Sequence, residues 1–154
     1  MDASSSALAA LARRAHTRGE LEQKLGRKGF DRVEIRILLD DLEGHGLLND
    51  MKTATSLAAW RLRTGRGRSR IASELAGKGV SRADVDAALA SLDPRDEAKA
   101  LRAALERRGR ALPAGLTRQA RSKKLFDHLV RRGFAPAAIL EALHRKGEST
   151  DDEP

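Results

Sequence analysis

The feature that most constrains this chain is a pattern that returns three times. Leu21, Leu25, the triplet Lys28-Gly29-Phe30, Ile35, Leu39 and Leu42 recur fifty positions later as Ile71, Leu75, Lys78-Gly79-Val80, Val85, Leu89 and Leu92. A shift of 104 positions from the first set gives Leu125, Leu129, Arg132-Gly133-Phe134, Ile139 and Leu143. Self-similarity at such a period marks one supersecondary unit, copied, that cannot bury its apolar face alone and must pack against its neighbours.

The spacing inside each copy is helical. Ile35, Leu38, Leu39 and Leu42 fall at i, i+3, i+4, i+7, and Val85, Ala88, Leu89 and Leu92 repeat that spacing. Thr17-Arg18-Gly19-Glu20 has the form of a capping box, in which hydroxyl and carboxylate each satisfy a backbone N–H at a helix start. Gly29 is placed to close that helix in the left-handed conformation, with Phe30 folding back as an apolar plug rather than a base-stacking platform. Asp31, Ser81 and Pro136 open the helix that follows in the three copies. A further helix precedes each pair, with apolar stripes at Leu8, Leu11, Ala12 and Ala15, at Ala54, Leu57, Ala58 and Leu62, and at Ala98, Leu101 and Leu105; Asp93-Pro94 opens the last.

These elements predict an all-α chain of three tandem three-helix repeats, over residues 1–46, 47–92 and 93–147. The joints at 44–50 and 91–94 are short, which predicts an elongated, curved helical rod. Gly109, Pro113 and Gly115 predict a flexible loop over 107–121. Residues 148–154 lack apolar periodicity and read as a disordered acidic tail.

Composition agrees with the helical reading: Ala, Leu and Arg dominate, and the aromatics are Phe30, Phe126, Phe134 and Trp60 alone. With no cysteine, disulfides, thiolate metal sites and thiol nucleophiles are excluded. No apolar run approaches the roughly 18 residues of a membrane span, and the first residues lack the basic and apolar stretches of a secretory signal, which predicts a cytoplasmic location. Thirty Lys and Arg against 22 Asp and Glu, a formal net charge of +8, point to a polyanionic partner such as nucleic acid or an acidic protein surface.

Catalytic chemistry finds little support. His16, His45, His128 and His144 are scattered without metal-ligand spacing and read as surface or helix-end residues. Gly65-Arg66-Gly67 follows no strand pattern and reads as a helix break; Asp40, Asp41 and Glu43 read as a solvated helix end. Neither an enzymatic role nor a cofactor is expected. The basic clusters are the candidate partner-binding residues: Arg61, Arg63, Arg66, Arg68 and Arg70 around a glycine-rich turn, then Arg107, Arg108, Arg110, Arg118, Arg121, Lys123 and Lys124, joined by Arg131 and Arg132. Arginine forks suit phosphate and carboxylate alike. Trp60 lies off its helix's apolar stripe, to fill a seam between repeats or stand at a partner surface.

The ordered set Arg13-Arg14-Ala15-His16-Thr17, Glu20-Leu21, Lys24-Leu25, Lys28-Gly29-Phe30, Leu47-Leu48-Asn49-Asp50, Gly65-Arg66-Gly67, Ile71, Glu74-Leu75, Lys78-Gly79-Val80 and Leu129-Val130-Arg131-Arg132-Gly133-Phe134 resembles the bacterial RecX regulators of recombination. The resemblance spans residues 7 to 146. It implies a monomeric, non-catalytic regulator that lodges in the groove of the RecA–DNA filament and modulates, with inhibition as the expected direction, RecA's ATPase, strand exchange and co-protease activities in recombination, DNA repair and the SOS response. Asn49-Asp50 and then Thr53 depart from the family's acidic pair and aromatic residue, with Leu57 and Trp60 expected to compensate. The alternative reading of the residues is a helical repeat that binds nucleic acid directly and without sequence preference; weak DNA binding is compatible with both.

Overall fold

A computed structural model describes residues 1–151, with side chains described through residue 149. Among the described residues there are nine helices and no strand: α1 (Ala3–Arg13), α2 (Arg18–Arg27), α3 (Arg32–Gly44), α4 (Asp50–Arg63), α5 (Arg68–Gly77), α6 (Arg82–Ala90), α7 (Pro94–Ala111), α8 (Arg118–Arg131) and α9 (Pro136–Asp151). The ends fall where cap chemistry puts them. Thr17 and Glu20 form the reciprocal capping box of α2, Asp31 accepts from Val33 and Glu34 N–H at the start of α3, Ser81 caps α6, and Asp93-Pro94 opens α7. The described residues divide into two compact units, residues 1–57 with 74–91 and residues 58–73 with 92–151.

In the first unit, Leu21 and Leu25 of α2, Ile35, Leu39 and Leu42 of α3, and Leu48 form a core with Ala7 and Ala10 of α1. Phe30 packs on that core, partly buried, as the apolar plug expected beneath the turn. Each leucine so buried contributes about 2 kcal/mol relative to exposure. Of the stripe expected on α1, Leu11 packs partly buried on the core, but Leu8 is 45% exposed and Ala12 and Ala15 are exposed, while Ala3, Ser6, Ala7 and Ala10 face inward. Small side chains let α1 approach α2 and α3 closely, so alanine wins the inner face and the larger Leu8 is left outside.

In the second unit, Leu62, Ile71, Leu101, Leu105, Leu125, Leu129, Phe134 and Ile139 are buried. Here α7 continues through Gly109 to Ala111, shortening the loop expected over 107–121 to residues 112–117. A glycine inside a helix costs about 1 kcal/mol, yet Gly109 is buried. Its carbonyl accepts from the Arg121 guanidinium at 2.5 Å, and a Cβ there would lie 3.3 Å from Lys146 Nζ. Close packing thus holds the helix where propensity alone would break it.

Helix α9 likewise continues into the region expected to be disordered. Ser149 hydroxyl donates to the Arg145 carbonyl at 3.1 Å, and i,i+4 pairs join Glu141 to Arg145 and His144 to Glu148. Residues 148–151 are therefore helical, while residues 152–154 of that expected tail lie outside the described residues. Trp60 does not fill a seam: it is 47% exposed, with the Arg61 guanidinium 4.6 Å above its ring.

Candidate partner-binding site

All of the candidate basic residues fall in the second unit. The site is built on the turn that leaves α4. Its glycine, Gly65, takes φ +88°, a conformation open to glycine at little cost, and this turns the carbonyls of Thr64 and Gly65 toward the end of α8. Arg132, the C-cap of α8, donates from Nε to the Gly65 carbonyl at 2.9 Å and from Nη2 to the Thr64 carbonyl at 3.1 Å. A Cβ on Gly65 would lie 3.4 Å from Arg132 Nη2 and 3.7 Å from Arg107 Nη1. Two guanidinium groups therefore converge on one glycine.

The electrostatics follow from that convergence. Burial first, and then the charges of Arg66, Arg107 and Arg70, push the Arg132 guanidinium below its ordinary range. Burial, followed by Arg108, Arg132 and Arg131, also pushes the His128 imidazole down. Arginine does not give up its proton in a protein, so the cluster remains a concentrated positive field. Arg108 Nε is buried without a hydrogen-bond partner among the described residues. The arrangement can accept an oxyanion, phosphate or carboxylate, by forked hydrogen bonds.

Other candidates are placed elsewhere. Arg68 is held by Glu97 in a two-point ion pair, Nε at 2.8 Å and Nη2 at 2.6 Å, and the bond to that carboxylate raises its pKa. Arg121 is engaged by the Gly109 carbonyl, Lys123 pairs with Asp127 at 3.0 Å, and Arg118 lies against Gly147. Arg61 stacks on Trp60. Arg63, Arg110 and Lys124 are exposed. Those brought together are thus Arg66, Arg70, Arg107, Arg108, Arg131 and Arg132. His128 was not singled out from sequence, although its place three and four residues before Arg131 and Arg132 on one helix puts it among their charges.

A cleft of about 910 Å³ lies beside this cluster, floored by Leu101, Leu105, Phe134, Ala138 and Ala142. Of the three carboxylates that line it, Glu97 and Glu141 are ion-paired to Arg68 and Arg145, and Glu106 is exposed. Among the described residues no group of three His, Asp or Glu could hold a metal ion, and no helix is long and apolar enough to cross a membrane.

Fold and sequence together define a tandem three-helix repeat protein. The model of the first three-helix domain of RecX matches residues 3–42, and that of the second matches residues 49–89. The chain belongs to the RecX family. It is 39% identical over 150 residues to regulatory protein RecX of Halorhodospira halophila, covering 96% of this chain and 88% of that one. With its counterpart from Chlorobaculum tepidum it shares 37% over 138 residues, 89% and 83% of the two chains. The fold is also that of two crystal structures. One, of regulatory protein RecX, has TM-score 0.84 and 23% identity over 91% of this chain and 70% of that one. The other, of RecX from Lactobacillus salivarius, has TM-score 0.78 and 21% identity over 93% of both.

Proposed function

We propose that this chain is a non-enzymatic, monomeric regulator, acting in the cytoplasm, that binds the groove of the RecA–DNA filament and lowers RecA's ATP hydrolysis, strand exchange and co-protease activity. In this role it serves recombination, DNA repair and the SOS response. Family membership supports the regulatory role. The observation that carries the rest is the convergence of Arg66, Arg70, Arg107 and Arg132 at the Gly65 turn. A field of that kind suits a partner presenting carboxylates and phosphates together, as an assembled protein–DNA filament does.

Tandem repeats engaging neighbouring protomers would bind the filament better than free subunits, because several weak contacts act at high effective concentration. Bridged protomers resist the rearrangements that accompany ATP turnover, and a groove so filled obstructs an incoming duplex. Both activities should therefore fall together.

The test is steady-state ATP hydrolysis by RecA on single-stranded DNA, titrated with this protein, with naked-DNA binding measured in the same buffer. Inhibition at concentrations that barely bind naked DNA is the expected result. An effect only where the protein coats DNA would instead make it a direct, sequence-independent nucleic-acid binder, with steep salt dependence.

A further inference from the structure

The turn that closes the middle helix of each repeat is the same object three times. Gly29, Gly79 and Gly133 take φ of 88°, 78° and 96°. The next residue donates back in each case: Phe30 to the Leu25 carbonyl, Val80 to Leu75 and Phe134 to Leu129, at 3.1 to 3.3 Å. In two of the three, the start of a helix from the preceding repeat sits on the turn's outward carbonyls. The Lys78 carbonyl accepts from the Thr17 hydroxyl at 2.5 Å, and a Cβ on Gly19 would lie 2.9 Å from Gly79 Cα. The Arg132 carbonyl accepts from Gly67 N–H at 2.8 Å and the Gly133 carbonyl from Ser69 N–H at 3.2 Å. A Cβ on Gly67 would run into the Gly133 carbonyl.

The first turn carries no such occupant. Lys28 and Gly29 are exposed, and nothing lies within 4 Å of the point where a Gly29 Cβ would project. Among the described residues no backbone N–H donates to the Lys28 or Gly29 carbonyl. Its backbone matches the two filled turns; it differs in that no described helix start sits on it.

We propose that the Lys28-Gly29-Phe30 turn is a docking socket for a helix N-terminus of the protein partner, one that opens with glycine or with Ser/Thr-x-Gly. The filled turns define that chemistry. A helix end offers unpaired carbonyls and the negative pole of its dipole; a helix start brings N–H groups and the positive pole, and only glycine allows the backbones to touch. Continuity with the repeat interface carries the assignment. A second copy of this chain does not fit, because its last repeat has no matching start. Shifted by 54 positions, α5 would correspond to residues 122–131, but α8 begins four residues earlier, and its first turn, Arg118-Gln119-Ala120-Arg121, has no glycine.

This proposal rests on the recombinase reading, and the test separates the two. Wild type and Gly29→Asn are co-sedimented with RecA filaments on single-stranded DNA; asparagine tolerates positive φ and fills the open space. Retention of wild type with roughly tenfold weaker retention of Gly29→Asn, a loss of about 1.4 kcal/mol, at unchanged helical content and naked-DNA binding, is expected. Equal retention of both overturns the socket and leaves the recombinase reading standing; failure of wild type to sediment overturns both. A measurement independent of the variant's folding is deuterium uptake of the wild-type chain, which should fall across residues 25–31 on the filament; unchanged uptake there overturns the socket. Concentration-dependent self-association abolished by Gly29→Asn would make the occupant a second copy and overturn the assignment to a partner.

Discussion

Glu20 carries more of the first unit than its position suggests. It accepts from Thr17 N–H at 2.9 Å, from Lys78 Nζ at 2.7 Å and from Arg14 at 3.2 Å. Burial would raise its pKa, but the bonds from Lys78, Thr17 and Arg14 outweigh burial and hold it at about 2. A depressed carboxylate stabilises the fold above the unfolded value of 4.5, and that contribution is lost as pH falls toward about 2. After allowance for solvent screening it is on the order of 2 kcal/mol. Glu20→Gln should lower stability by about that much at neutral pH and converge with wild type in acid, as read by urea unfolding across pH. His16 acts in the same direction by another route. It is buried, its Nδ1–H donates to the Arg14 carbonyl at 3.0 Å, and burial depresses its pKa below 6.5. The neutral ring stabilises the fold above 6.5, and the gain is lost as pH falls below it; His16→Gln should flatten that limb of the stability profile. The first capping box was legible in the sequence. The burial of His16 was not, since a histidine after a helix reads the same whether or not something covers it.

At the scale of the element, α2 holds two glycines with opposite meanings. Gly26 has nothing within 4 Å of a Cβ, whereas a Cβ on Gly19 would lie 2.7 Å from the Lys78 carbonyl oxygen. Gly26→Ala should therefore raise the unfolding free energy by about 1 kcal/mol, and Gly19→Ala should lower it; thermal melts of the two variants check the pair. Propensity would rank them alike, since only the repeat opposite decides. The same reason explains the inner face of α1. Periodicity marks an apolar stripe but cannot say whether leucine or alanine faces inward, because that depends on how closely α2 and α3 approach. The three-helix repeats were legible because caps and apolar spacing act locally. The passage of α7 through Gly109 was not, for it depends on Arg121 twelve residues away.

Across the whole molecule, the sorting of arginines is what sequence could not supply. Arg66, Arg68 and Arg70 read as one cluster, yet Arg68 is engaged by Glu97, 29 residues distant, while Arg66 and Arg70 add their charge to Arg132. Neutralising the three together would mix a loss of stability with a loss of binding. Arg68→Ala is expected to lower the melting temperature by roughly 2–4 °C with little effect on filament inhibition. Arg70→Gln combined with Arg107→Gln should keep the melting temperature and raise the concentration needed for half-inhibition of ATP hydrolysis; unchanged inhibition would remove both from the interface.

The joints at Lys78 and Arg132 also bear on how the chain folds. Thr17 meets Lys78 across 61 residues, and Arg132 meets Gly65 across 67. Helical proteins fold fast when their contacts are local, and each of these joints asks the chain to close a long loop first. Helices should form early and the joints late, so refolding ought to be slower than helix content alone would suggest, and mutations at Gly19 or Gly67 should speed unfolding more than they slow folding.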